Sequence, residues 1–119
     1  MSLNVQQDNV FFAETTANLG ISATYTGPAR DVGDVANTKV GYAAFNAFAT
    51  AGVAGTLRID MSADGTTWYR ATADAAVAAN AAVTLSLPVT QRFYRVVYVN
   101  GAAAQTGTAF MVTSSFTAA

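Results

Sequence analysis

Ser62-Ala-Asp-Gly-Thr-Thr-Trp68 and Arg92-Phe-Tyr-Arg-Val-Val-Tyr-Val-Asn-Gly101 decide the fold of this chain. Each joins an alternating apolar run to an Asp-Gly or Asn-Gly pair, residues that readily supply the positive φ angles of a tight turn between twisted antiparallel strands. Upstream of the first, Leu57, Ile59 and Met61 alternate with Thr56, Arg58, Asp60 and Ser62, so one strand face is apolar and the other polar. In the second, Tyr94, Val96 and Tyr98 share one face, and Phe93, Arg95, Val97 and Val99 the other. A run apolar on both faces belongs in the middle of a sheet.

Outward from these segments, Ile21, Ala23 and Tyr25 alternate with polar residues in a strand from Gly20 to Thr26 that Gly27-Pro28 ends. Residues 29–38 hold turn formers around isolated valines and read as a loop or a short irregular strand. From Lys39 to Thr50 the spacing of Val40, Tyr42, Phe45 and Phe48 fits neither strict alternation nor a helical stripe, which predicts a strand with a bulge. Ala71 to Ala82 lacks large apolar anchors and reads as a loop, with room for a helical turn. Val83, Leu85, Leu87 and Val89 form an alternating strand that Pro88 assigns to a sheet edge. Ala109 to Phe116 closes the sheet with Phe110, Val112 and Phe116 inward. Turns recurring about every ten residues without a helical period predict an all-β fold, an antiparallel β-sandwich or jelly roll of about seven to nine strands. Residues 1–12 are expected to be an N-terminal arm or edge strand, and 13–119 a single sandwich domain.

Composition bounds the chemistry. The 119 residues contain no cysteine and no histidine, which removes thiolate ligands, disulfides and the usual general base near neutral pH. One glutamate (Glu14), one lysine (Lys39) and dispersed aspartates offer no carboxylate pair for acid–base work, and no base to activate a serine or threonine. An enzyme is therefore not expected, nor a cofactor. Asp31, Asp34, Asp60 and Asp64 lack the interleaved spacing of a calcium loop, so no metal is expected either. Six scattered basic residues and a net charge of −1 exclude the electrostatic footprint of nucleic-acid binding. No basic n-region leads into an apolar stretch and no long apolar run is present, so neither a signal peptide nor membrane insertion is expected. Only 11% of residues are charged, against roughly 25% in ordinary soluble domains. A surface built of Ala, Thr, Ser, Gly and Asn points to contact with other protein, the alternative being a free β domain with a Thr-rich face.

The order Gly-Thr-Leu-x-Ile, Ser62-x-Asp-Gly-Thr-x-Trp68, then Arg92-Phe-Tyr-Arg-Val96 and a final Phe strand resembles the second half of discoidin-type (galactose-binding-like) jelly rolls. Those domains are longer and commonly disulfide-closed, and their binding residues match no position here. From Ala23 to Phe116, including Tyr25-Thr-Gly-Pro-Ala-Arg-Asp-Val-Gly33 and Tyr98-Val-Asn-Gly-Ala-x-x-Gln-Thr106, the chain also resembles small structural proteins of tailed bacteriophages. That resemblance implies a non-enzymatic virion protein, a head decoration or cement protein with a tail or baseplate component as its variant. The implied partners are the major capsid protein, copies of itself in a homo-oligomer, or both, and the implied location is the virion.

Candidate interface residues are Val10, Phe11 and Phe12 in the arm, which could stay disordered or add to a neighbour's sheet edge, and Phe93, Arg95 and Val97 on one strand face. An ion pair between Arg95 and an aspartate is the equal alternative for that face. Trp68 is expected to seal the sandwich end. In the alternative, Trp68 and Tyr69 stack on a glycan, which would make the domain a carbohydrate-binding module.

Overall fold

The computed structural model describes residues 8–15, 17–32, 43–88 and 90–118. Among the described residues ten strands follow one another: β1 Asp8–Thr15, β2 Thr24–Thr26, β3 Arg30–Asp31, β4 Ala43–Thr50, β5 Gly55–Ser62, β6 Tyr69–Arg70, β7 Ala75–Val77, β8 Ala82–Pro88, β9 Phe93–Asn100 and β10 Met111–Ala118. They form two antiparallel sheets. The four-stranded sheet has the order β1-β10-β4-β8; the six-stranded sheet runs β2-β9-β5-β6, with β3 also on β9 and β7 also on β5. The expected antiparallel sandwich is present, with ten strands because four of them are only two or three residues long.

Strict alternation builds the core. Tyr94, Val96 and Tyr98 of β9 and Leu57 and Ile59 of β5 are buried from one side, Phe45, Ala47 and Ala49 of β4 and Val112 and Phe116 of β10 from the other. The Phe45 and Tyr94 rings meet across the sheets at 4.7 Å, and Tyr98 meets Phe110 at 5.0 Å. These tilted contacts explain the alanines at 47 and 49: facing aromatics fill the space, so small residues fit.

Three expectations are corrected. β4 carries no bulge between Ala43 and Thr50, since its register with β10 and β8 is unbroken. Phe48 broke the apparent alternation because it lies on the outer face while Phe45, Ala47 and Ala49 point in; Val40 and Tyr42 lie outside the described residues. The bulge is in β1, where the register shifts between Ala13 and Thr15. The strand expected from Gly20 is ordered as β only from Thr24, after a turn in which Ser22 takes φ 55° and Ile21 stands 66% exposed. The alanine-rich segment expected to be a loop contains β7, whose Val77 enters the core. β9 is central and β8 is an edge, as the two-faced apolarity of one and the proline of the other require. Residues 8–12 pair with β10 of their own chain as part of β1.

Candidate functional site

The 62–68 turn positions the only tryptophan. Ser62 Oγ accepts the amide of Gly65 at 2.9 Å, Asp64 Oδ1 accepts the amides of Thr66 and Thr67 at 2.9 Å each, and Gly65 takes φ +81°. Those backbone amides, joined by the Ser62 hydroxyl, hold the Asp64 carboxyl well below the usual carboxylate range. The turn delivers Trp68 to the outer face of the six-stranded sheet, where Arg95 stacks on its ring at 4.4 Å. Trp68 is half-buried and outside the core, which corrects its expected sealing role. Arg95 also binds Asp60, its cross-strand partner, through Nε to Oδ2 at 3.1 Å. Arg58 takes the other oxygen of Asp60 at 3.0 Å, and Asp74 links Arg58 to Arg70 at 3.8 and 3.2 Å. Asp60 is only 3% exposed, and the guanidiniums of Arg58 and Arg95 face its two oxygens.

A second polar cluster lies between the sheets. Glu14 lies at the β1 bulge, two residues after the inward Phe12, and its side chain is fully buried. Arg30 of β3 reaches it in bidentate fashion, Nε to Oε1 at 3.3 Å and Nη2 to Oε2 at 3.0 Å, with its guanidinium 3.9 Å above the Phe12 ring. The Tyr25 hydroxyl donates to Oε2 at 3.0 Å or to the Glu14 carbonyl at 2.8 Å, and Ser114 donates to Oε1 at 2.5 Å. The Tyr94 hydroxyl lies 3.0 Å from Ser114 Oγ. Burial first, then the Glu14 charge, pushes the Tyr25 hydroxyl up to about 12; burial likewise raises Tyr94 to about 12 against the opposing Ser114 hydrogen bond. The cluster clasps β1 and β10 of one sheet to β2, β3 and β9 of the other.

The outer face of the four-stranded sheet is of another kind. Among the described residues its outward positions, such as Phe48, Thr84, Thr113 and Ser115, carry no charge. Met111 is 40% exposed, and a shallow depression of about 160 Å³ lies between Phe48, Thr84, Thr113 and Ser115.

The six expected interface residues are not brought together. Phe12 is half-buried beneath Arg30 on the inner side of β1, whereas Phe93, Arg95 and Val97 lie on the outer face of β9. The backbone of Val10 and Phe11 runs in β1, and their side chains lie outside the description. Val97 is buried, so it presents no free surface, and Arg95 is in the ion pair with Asp60 that was its alternative. Tyr69 is 70% exposed beside a groove of about 250 Å³ with Met61, Ser62, Ala63 and Gln91, while Trp68 is occupied by Arg95. Sequence reading missed the Glu14 clasp and the charge-free face; the unplaced Phe48 was the one signal of the latter. Among the described residues, no three metal-ligating side chains converge and no helix is long and apolar enough to cross a membrane.

Fold and surfaces define a two-sheet antiparallel β module in which arginines and backbone amides occupy Glu14, Asp31, Asp60, Asp64 and Asp74. Within that class, the chain belongs to the family described as "Uncharacterised protein YqxG N-terminal domain", whose model matches residues 2–117. Among solved structures it is similar to the PBSX exported protein XepA, a phage-associated protein, at 27% identity and a TM-score of 0.76 over 92% of this chain. The chain spans 37% of XepA. It also shares its fold with a solved structure from the Bacillus endospore appendages, described as "a novel family of disulfide-linked pili", at 15% identity and a TM-score of 0.54, over 95% of this chain and 86% of that one. No curated protein matches the sequence.

Proposed function

We propose that this chain is a non-enzymatic structural module of a tailed-phage particle, acting as a head decoration or cement protein that docks on neighbouring coat subunits. The observation that carries the reading is the outer face of the four-stranded sheet, free of charge among the described residues, in a chain whose five arginines are all held in ion pairs elsewhere. A face of Phe48, Met111 and threonines loses little hydration on docking, and about 25 cal/mol is released per Å² of apolar surface covered. Stable contacts cover about 1,200–2,000 Å² in total, and repetition around a shell stabilises it by mass action. The likeness to a phage-associated exported protein supports an extracellular or virion-associated location.

Co-sedimentation with purified particles tests this, followed by cross-linking to identify the coat partner. The wild-type chain is expected to pellet with particles and Met111→Asp to stay in the supernatant with its fold intact. A folded chain that never pellets overturns the reading. Density at the tail or baseplate would transfer the same chemistry to the tail variant.

The exposed Tyr69 ring beside its groove favours a second reading, a carbohydrate-binding module. Glycan-array signal lost in Tyr69→Ala, with particle binding unchanged, would support it.

A further inference from the structure

We infer that Asn100-Gly101 is a spontaneous deamidation site that the native fold holds shut, so that unfolding opens the chain to a covalent change after which it does not refold. An asparagine followed by glycine is the pair in which this reaction meets least steric hindrance. The Gly101 backbone nitrogen loses its proton and attacks Asn100 Cγ, the side-chain nitrogen leaves as ammonia, and a five-membered succinimide closes. Water then opens the ring at either carbonyl, leaving aspartate or, with the chain rerouted through the side chain, isoaspartate. The reaction consumes water alone.

Folding blocks each of these moves. Asn100 is 3% exposed, and its Nδ2 donates to the carbonyls of Gly20 at 2.8 Å, Ala103 at 2.9 Å and Leu19 at 3.3 Å, so the carboxamide cannot swing. The attacking nitrogen is held as well, because the Gly101 amide donates to the Ala54 carbonyl at 3.0 Å. The Asn100 amide donates to the Ala23 carbonyl and the Gly101 carbonyl accepts from Ser22, each at 2.9 Å, which pins the pair against a further segment.

The same contacts explain why a reactive pair stands here. Gly101 does not take positive φ, unlike Gly65 and Gly107; instead, a Cβ on it would sit 2.5 Å from the Ala54 carbonyl oxygen. Close backbone approach therefore excludes every side chain that would slow the attack. At position 100 the ring of carbonyls demands a short side chain ending in N–H donors, which asparagine supplies. Its Oδ1 meets no donor among the described residues, so a carboxylate there would face carbonyl oxygens on one side and no donor on the other. Isoaspartate would add a backbone carbon where Asn100 stands in register with Gly55 of β5. Neither product can close this end of the sandwich again, and unfolding becomes one-way.

The test incubates the full chain at mildly alkaline pH in buffer and in denaturing urea, with peptide mass spectrometry at position 100 and refolding by dilution at each time. In urea, a carboxyl in place of the Asn100 amide is expected to accumulate well ahead of any change at Asn18, Asn46 or Asn80, whose following residues carry side chains. Refolded yield is expected to fall in step with it. In buffer the rate at position 100 is expected to be lower by at least about tenfold, since only the small open fraction of a closed strand end can react. Asn100→Asp, which presents one product directly, is expected to stay unfolded or to melt well below the wild type. Equal rates in buffer and urea, no reaction in urea, or a modified chain that refolds in full overturns the inference. An Asn100→Asp chain as stable as the wild type overturns it equally. None of these outcomes depends on whether the chain docks on particles.

Discussion

Glu14 makes the strongest single-residue demand on this structure, because its buried carboxylate is the common acceptor for Arg30, Ser114 and Tyr25. Removing it strands a largely buried guanidinium, and breaking such a pair costs about 3–5 kcal/mol, whereas exchanging both members for apolar residues is often close to neutral. Urea unfolding is therefore expected to show Glu14→Ala destabilised by about that amount, and Glu14→Leu with Arg30→Met much closer to wild type. The same cluster sets an alkaline limit. Tyr25 and Tyr94 hold their protons to about pH 12 in the folded chain, while an unfolded tyrosine releases its own near 10.0. The unfolded state thus binds fewer protons between those values, so the two tyrosines' contribution to stability is constant below pH 10 and is lost as pH rises towards 12. Denaturant midpoints across that window should fall less steeply in Tyr25→Phe. Trp68 presents the opposite case: it stacks on Arg95 outside the core, so Trp68→Ala is expected to cost about 0.5–2 kcal/mol, the range of such contacts, and not the about 3–5 of a core tryptophan.

Strands fit together here through close backbone approach at chosen points. Gly55, at the start of β5, lies so near β9 that an added Cβ would press on the Tyr98 hydroxyl and sit 2.8 Å from the Val99 carbonyl oxygen. Gly55→Ala is expected to lower the denaturant midpoint by an amount equivalent to about 1–3 kcal/mol, as overpacking does. Gly20→Ala, with nothing within 4 Å, should stay within about 0.5 kcal/mol. The elements legible from sequence are those long enough to show a period: β5, β8, β9 and β10 were readable because alternation over seven or eight residues fixes which face is apolar. β3, β6 and β7 are too short to carry a period and exist only because β9 or β5 offers them a partner. β4 misled because Phe48 faces outward, and the size of a side chain does not reveal its face when the core takes alanines. The Glu14 clasp and the Trp68–Arg95 stack join residues far apart in sequence or on opposite strands. No local pattern encodes them; the turn chemistry of Asp64-Gly65 was legible, its consequence for Trp68 was not.

The molecule as a whole separates charge from apolar surface. Arg58, Asp60, Arg70, Asp74 and Arg95 lie on or beside the outer face of one sheet, and the outer face of the other is free of charge among the described residues. This asymmetry decides how docking must respond to salt. Contact through the charged face would depend on unscreened attraction, which acts over about 10 Å at 0.1 M salt and only about 3 Å at 1 M. Contact through Phe48, Met111 and their hydroxyl-bearing neighbours depends on apolar burial, which sulfate strengthens because the salt is excluded from the surface. Co-sedimentation with particles is therefore expected to hold from about 0.1 to 1 M sodium chloride and to tighten in ammonium sulfate. Loss of pelleting on that rise in chloride would move the docking surface to the arginine face and leave Phe48 and Met111 as ordinary half-covered side chains.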